Sequence, residues 1–153
     1  MLAALLGGDA NSALYRKLVV ERKLATEVGA VYDGDSRDDG KFGIYAVPAP
    51  GVSPEALERA SDEVISKFLA SAPPPADLAR VKTQVVAGAV YQRDNQYAMA
   101  SAFGQALAIG LTVADVHSWP RRINAVTAQE VRNAAVTGLV RRESVTLYLK
   151  PGP

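Results

Sequence analysis

Leu5-Leu6-Gly7-Gly8-Asp9-Ala10-Asn11-Ser12-Ala13-Leu14-Tyr15-Arg16-Lys17-Leu18 decides how this chain is read. Residues 1–6 read as the last turns of a helix. Gly7-Gly8 stop it, because glycine takes the left-handed C-cap conformation at little cost. Asp9, Asn11 or Ser12 can cap the next helix by accepting from its first free N–H groups. That second helix carries Leu14, Leu18 and Val19 on one face, with Arg16, Lys17 and Glu21 on others.

Downstream, residues 26–32 and 41–47 read as two strands. In the second, Phe42, Ile44 and Ala46 share a face and Gly43, Tyr45 and Val47 lie opposite, the period-two pattern of a half-buried strand. The polar stretch Asp33 to Gly40 between them makes the pair an antiparallel hairpin. Ser53 then caps a helix with Pro54 at its first position, where a missing N–H costs nothing. Its apolar stripe is Leu57, Ala60, Val64, Ile65 and Phe68.

After the stiff break at Pro73-Pro74-Pro75, a long helical region starts near Ala76 with Leu78, Val81, Val85 and Ala89 on one face. Arg93-Asp94-Asn95 interrupts it. Residues 97–109 are rich in small side chains, which predicts close packing against a neighbour, and Gly110 reads as their cap. Thr112 with Asp115 opens a short helix through Trp119. Thr127-Ala128-Gln129-Glu130 is a capping box opening a helix with Val131, Ala134, Ala135 and Leu139 inward. Residues 144–149 read as a third strand.

Three strands and five or six helices without regular β-α-β alternation predict an α+β fold. Its antiparallel sheet has helices packed on one face. A sheet this small leaves an open edge, which proteins usually cover. Residues 1–6 have neither the basic n-region nor the length of a signal peptide. They read as the end of a helix begun upstream. Residues 1–153 are therefore expected to be a single domain and a fragment of a longer multi-domain chain, lacking the first strand of its sheet.

Composition narrows the function classes. The chain has 153 residues, 48% of them apolar, no cysteine and one histidine, at a net charge of +1. That length suits one domain with enough buried surface to fold unaided. Without cysteine, disulfides and thiolate metal sites are excluded. Acids and bases interleave and no basic stripe forms, so a nucleic-acid partner has no electrostatic support. No apolar run approaches the roughly 20 residues of a membrane span. The compartment stays open.

The ordered signals resemble the C-terminal homology domain of pitrilysin/insulinase-type zinc metallopeptidases. They run nearly end to end: Leu6-Gly7-Gly8, Ser12 to Leu18, Tyr45-Ala46-Val47-Pro48-Ala49-Pro50-Gly51, Asp77-Leu78-Ala79-Arg80-Val81-Lys82, Ala125-Val126-Thr127-Ala128-Gln129-Glu130-Val131 and Val145-Thr146-Leu147-Tyr148-Leu149-Lys150-Pro151. The resemblance implies a metallohydrolase-like peptidase domain in a protein whose zinc sits elsewhere. The family's zinc domain carries His-x-x-Glu-His with a downstream glutamate. Its metal brings the bound water's pKa near 7. With His117 alone and no cysteine, this chain cannot build that site. No catalytic, cofactor-binding or metal residue is assigned to it, and zinc is expected in the catalytic domain of the parent chain.

Members of the family that assist at the substrate carbonyl from such a domain use an arginine and a tyrosine. Aligned on Ser12-Ala13-Leu14 and Leu24-Ala25, those positions hold Val19 and Thr26. Valine has no donor and threonine is short. Arg16, Arg22 and Tyr32 are near but out of register. The resemblance further implies three partners: the zinc-bearing domain of the same chain, a homologous second half or partner subunit, and a peptide substrate that adds as a strand to a sheet edge.

Other candidates have plainer readings. His117 could be a lone ligand or a pH switch, but without convergent partners it reads as a surface or interface histidine beside a packed Trp119. The acidic stretch Asp33 to Gly40 could suggest calcium. Arg37 and Asp38 stand at the fifth and sixth positions, where an EF-hand needs a ligand and a glycine, so it reads as a solvated turn. Gly7-Gly8 follows a helix and lacks phosphate-loop spacing. Arg121-Arg122 and Arg141-Arg142 read as solvated faces or contacts to carboxylates.

Three functions follow. The first is a non-catalytic domain that supports the zinc domain of a metalloendopeptidase and shapes its peptide chamber; alone it would be inactive. The second is an inactive homologue acting as a structural or partner subunit. The third, an unrelated α+β enzyme, needs a convergent set of titratable residues that the sequence does not offer.

Overall fold

In the computed structural model, which describes residues 1–34 and 40–149, α1 (Leu2–Gly7) leads into a π-helix (Tyr15–Glu21) and then into β1 (Ala25–Asp33). β2 (Lys41–Pro48) follows, with α2 (Pro54–Ala70), α3 (Pro75–Gln92), α4 (Gln96–Ala108), α5 (Val113–Ala125) and α6 (Ala128–Gly138) after it, and a 3-10 turn at Arg141–Glu143. The fold is α+β, with β1 and β2 antiparallel.

The strand alternation decides which face is buried. Val28 pairs with Ala46 and Ala30 with Ile44. These residues, with Phe42, lie against a core of Leu6, Leu14, Leu18, Leu57, Ala60 and Val64. Helices α1 and α2 and the π-helix therefore cover one face of the sheet, as the residue pattern predicted. A second core joins Leu5, Leu78, Val81 and Val131. Neighbouring leucines of α1 thus enter different cores, and Phe68 touches both.

Caps follow the sequence closely. The Ser53 hydroxyl accepts from the Ala56 amide at 3.1 Å, and Pro54 opens α2. Asn95 caps α4 across the expected break. Thr112 with Asp115, and Thr127 with Glu130, close two reciprocal capping boxes. The N–H and hydroxyl of Thr127 donate to Glu130 at 2.7 and 2.8 Å. Those bonds hold the Glu130 carboxyl below its ordinary range. Thr127→Ala removes the cap and is expected to cost about 1 kcal/mol. That would lower the midpoint of thermal unfolding by roughly 2–4 °C, measurable by calorimetry. An unchanged midpoint would show that α6 is held by packing alone.

Several expectations are corrected. Residues 144–149 form no strand among the described residues; the Thr146 and Tyr148 hydroxyls donate to Glu58 of α2 instead. The described sheet has two strands, not three. Gly8 ends α1 with φ −83°, not in the left-handed region; glycine is needed for close approach, since a Cβ on Gly7 would sit 2.4 Å from the Ala30 amide nitrogen. The second helix has no side-chain cap and is π-helical. Its wider turn lets Leu14 and Leu18 be buried while Tyr15 and Val19 also reach the core.

Helix α5 runs on to Ala125 with Pro120 inside: the proline removes one hydrogen bond without ending the helix. Ala134 is exposed, and in α6 only Val131 and Ala135 are buried. Helix α4 lies against α5, as its small residues allow, but only Ala106 of it is buried and the space around Gly104 is open. The acidic loop at residues 35–39 lies outside the described residues.

Candidate functional site

The outer face of the hairpin is built from the other half of the strand alternation. Gly29 pairs with Tyr45 and Val31 with Gly43. A Cβ on Gly29 would fall 2.5 Å from the Tyr45 ring, so the tyrosine lies over the glycine and buries it. A glycine in a strand marks close approach of this kind. Around this pair, Val31, Tyr45 and Val47 are exposed. They make a small apolar surface between Glu27, which is exposed opposite Val47, and the pair Asp33 and Lys41, which stand opposite each other in the register. Two strands leave main-chain groups unpaired along their outer edges, and an extended peptide can add there.

Of the two positions that the family resemblance singles out, Val19 lies in the π-helix before this hairpin and Thr26 at the start of β1. Val19 is half-buried against the core. Thr26 is exposed, and the register shifts between Ala25 and Glu27, which makes Thr26 the extra residue of a bulge. Bulges re-aim a side chain; here the Thr26 hydroxyl donates to the Val47 carbonyl at 3.4 Å. The two side chains offer no cation and no phenol to a substrate. Lys23, between them, is left-handed at φ 52° without being glycine. That strained link carries the chain from π-helix to strand, and no sequence signal announced it.

Elsewhere the plain readings dominate. His117 is exposed on α5 and meets the Phe103 ring edge-on at 5.5 Å. Trp119 is itself exposed, so the aromatic neighbour of His117 is Phe103 of α4 and not a packed tryptophan. Arg122 lies in the last turn of α5, where a cation suits the helix dipole. Arg142 meets Glu143 at 3.4 Å, while Arg141 reaches Glu58 and Asp62 of α2 at 2.5 and 3.1 Å. The loop calcium reading turns on Arg37 and Asp38, outside the described residues. Among the described residues no three His, Cys, Asp or Glu side chains gather as a metal site.

One acidic group ties the opening turn to the helices. Asp9 lies 2.5 Å from the Arg80 guanidinium and accepts from the Gln84 amide at 3.1 Å and the Asn11 N–H at 2.8 Å. Burial pushes its pKa up, but the hydrogen bonds from Gln84, Asn11 and Arg80 prevail and hold it below the usual aspartate range. Asp9 was expected as a cap; it serves as a clamp between residues far apart in sequence. No single helix among the described residues is long and apolar enough to cross a membrane.

Comparison with known proteins agrees with this architecture. A candidate zinc protease from Bordetella pertussis Tohama I superposes with a TM-score of 0.78 at 22% identity, over 92% of this chain and 77% of that one. The inactive peptidase domain of a candidate zinc protease from Bordetella parapertussis gives 0.77 at 19%, over 92% and 75%. A protease from Helicobacter pylori gives 0.78 at 18%, over 89% of this chain. This chain spans about a third of that protease, 32% of its length. At these identities the likeness is one of fold. No curated protein matches the chain. The family described as the peptidase M16 inactive domain matches residues 1–85, more than half of the chain, and the chain belongs to that family.

Proposed function

We propose that residues 1–153 are the non-catalytic domain of a zinc metalloendopeptidase, supporting its zinc-bearing domain and shaping the chamber in which peptides are cut. The observation that carries this reading is the family membership of a chain with a single histidine and no cysteine. The residues present do not fit a zinc site, so no chemical step is assigned to them. The domain's part would be binding: the exposed Val31, Tyr45 and Val47 on the outer face of the hairpin and its open edges suit an extended peptide, whose main chain gains hydrogen bonds as an added strand. A homologous second half or partner subunit would close the chamber.

The test compares residues 1–153 with the longer protein that contains them. Zinc and cleavage of an unstructured peptide are expected only in the longer protein. Tight zinc binding or turnover by residues 1–153 alone would overturn the proposal.

A second reading, an inactive homologue that serves as a structural or partner subunit, is favoured by one observation. Val19 and Thr26 stand where assisting members of the family carry arginine and tyrosine. Under that reading the longer protein binds no zinc and cleaves nothing, and its upstream sequence lacks His-x-x-Glu-His.

A further inference from the structure

On the covered side of the sheet, an open groove of about 520 Å³ runs between the π-helix and α2. That volume falls within the roughly 300–1,000 Å³ of ligand clefts. Its floor is apolar: Ala13 and Phe68 are half-buried there and Val64 is buried. Its walls are charged. Lys17 pairs with Glu21 at 2.5 Å, and Arg22 reaches across to Glu63 of α2 at 2.8 Å. Both carboxylates of the groove are thereby engaged. Arg16 and Lys67 line the same groove, exposed, and make no hydrogen bond or ion pair among the described residues. Arg16 acts on Glu21 only through space. Four cations thus face two carboxylates and leave two positive charges over. The whole chain carries only +1, so the excess is local. The π-helix helps to build it. Its wider turn, seen where the Arg22 amide donates to the Lys17 carbonyl at 3.0 Å, lines the groove with charge while Leu14 and Leu18 stay in the core. Such turns recur at functional sites.

We propose that this groove docks an acidic peptide segment, with carboxylates on Arg16 and Lys67 and an apolar side chain against Val64 and Phe68. Charge complementarity chooses the occupant. A basic segment would meet two uncompensated cations, whereas an acidic one supplies what they lack. The Arg16 guanidinium can hold a carboxylate by two parallel N–H bonds, and Lys67 acts as a point charge. The apolar floor favours a peptide over a free inorganic anion, which has no side chain to bury. A membrane surface lies flat and does not reach a recessed floor. The groove is separate from the outer face of the hairpin, because the π-helix and α2 cover the sheet's other face. It therefore stands independently of peptide addition at the sheet edge.

Fluorescence anisotropy of a labelled Glu-Glu-Leu-Glu-Glu peptide, titrated with the whole chain, tests the groove. Saturable binding is expected at low salt. It should weaken as ionic strength rises from about 0.01 to 0.15 M, where the screening length falls from about 30 to 8 Å. Exchanging the peptide's glutamates for glutamine should abolish binding, and exchanging its leucine for glycine should weaken it several-fold. Arg16→Glu together with Lys67→Glu should weaken binding by about tenfold or more. Arg93→Glu together with Arg121→Glu makes the same change in net charge at exposed sites on other helices and should leave binding unchanged. Three results would overturn the proposal: no saturable binding to the parent chain, equal losses in the two double variants, or binding that survives the glutamine exchange. Displacement of the peptide by inorganic phosphate or by phosphatidylserine vesicles, as readily as by unlabelled peptide, would also overturn it, revealing a plain anion site or a membrane face.

Discussion

Leu18→Ala is expected to destabilise the protein by about 2–5 kcal/mol, the range for truncating a fully buried leucine. Leu18 is 0% exposed and lies in the core formed by Leu6, Leu14, Val28, Ala30, Leu57 and Val64. It belongs to the π-helix, so its surroundings come from three directions: β1, α1 and α2. Collapse into the space left behind would require the π-helix to move. That helix is fixed at its end by the Arg22 amide on the Lys17 carbonyl and the Leu24 amide on the Leu18 carbonyl, at 3.0 and 2.8 Å. A poor ability to collapse places the cost toward the upper part of the range. For a chain of this size each kcal/mol lowers the unfolding midpoint by roughly 2–4 °C. Urea unfolding of parent and variant measures the effect directly, and a loss under about 1 kcal/mol would mean that this core is not close-packed.

Gly7→Ala should also be costly, although alanine is the better helix former. The added Cβ would meet the Ala30 amide nitrogen at 2.4 Å, the Gly29 carbonyl carbon at 2.7 Å and the Ala30 Cβ at 2.9 Å. Two of these atoms are backbone, so relief requires α1 to move away from β1. Overpacking of this kind costs about 1–3 kcal/mol and occasionally more. Gly104→Ala is the control. It lies inside α4 with open space around it, and it should stabilise by roughly 0.5–1 kcal/mol. Opposite signs for the two substitutions are expected in the denaturant midpoint. If both were neutral, the close approach of α1 to the sheet would be wrong.

Much of the architecture was legible because it is written in short-range chemistry. The hairpin faces follow from the alternation in residues 41–47, and α2 and α6 begin where Ser53 and Thr127 can accept from their own helices. The break before α4 follows from Asn95 as a cap. What escaped the sequence was set by contacts between distant residues. The π-helical turn is a compromise among four side chains seeking one core. Asp9 became a clamp because Arg80 and Gln84, some seventy positions on, come beside it. The third strand was expected from alternation alone, yet a strand needs a neighbour, and at residues 144–149 the polar half of the alternation found Glu58 instead. For the candidate site, Gly29 beneath Tyr45 could have been foreseen only with the register known.

The sequence by itself determined the α+β class, the helix boundaries that carry caps, and the want of ligands for a family-type zinc site. Each depends on residue type or on partners within a few positions. The tertiary structure decided which glycines are needed for close approach, how Thr26 is aimed, and where the side chains of residues 144–149 find partners. Those outcomes depend on the register between β1 and β2 and on how α1 and α2 lie against the sheet, and no local pattern encodes either.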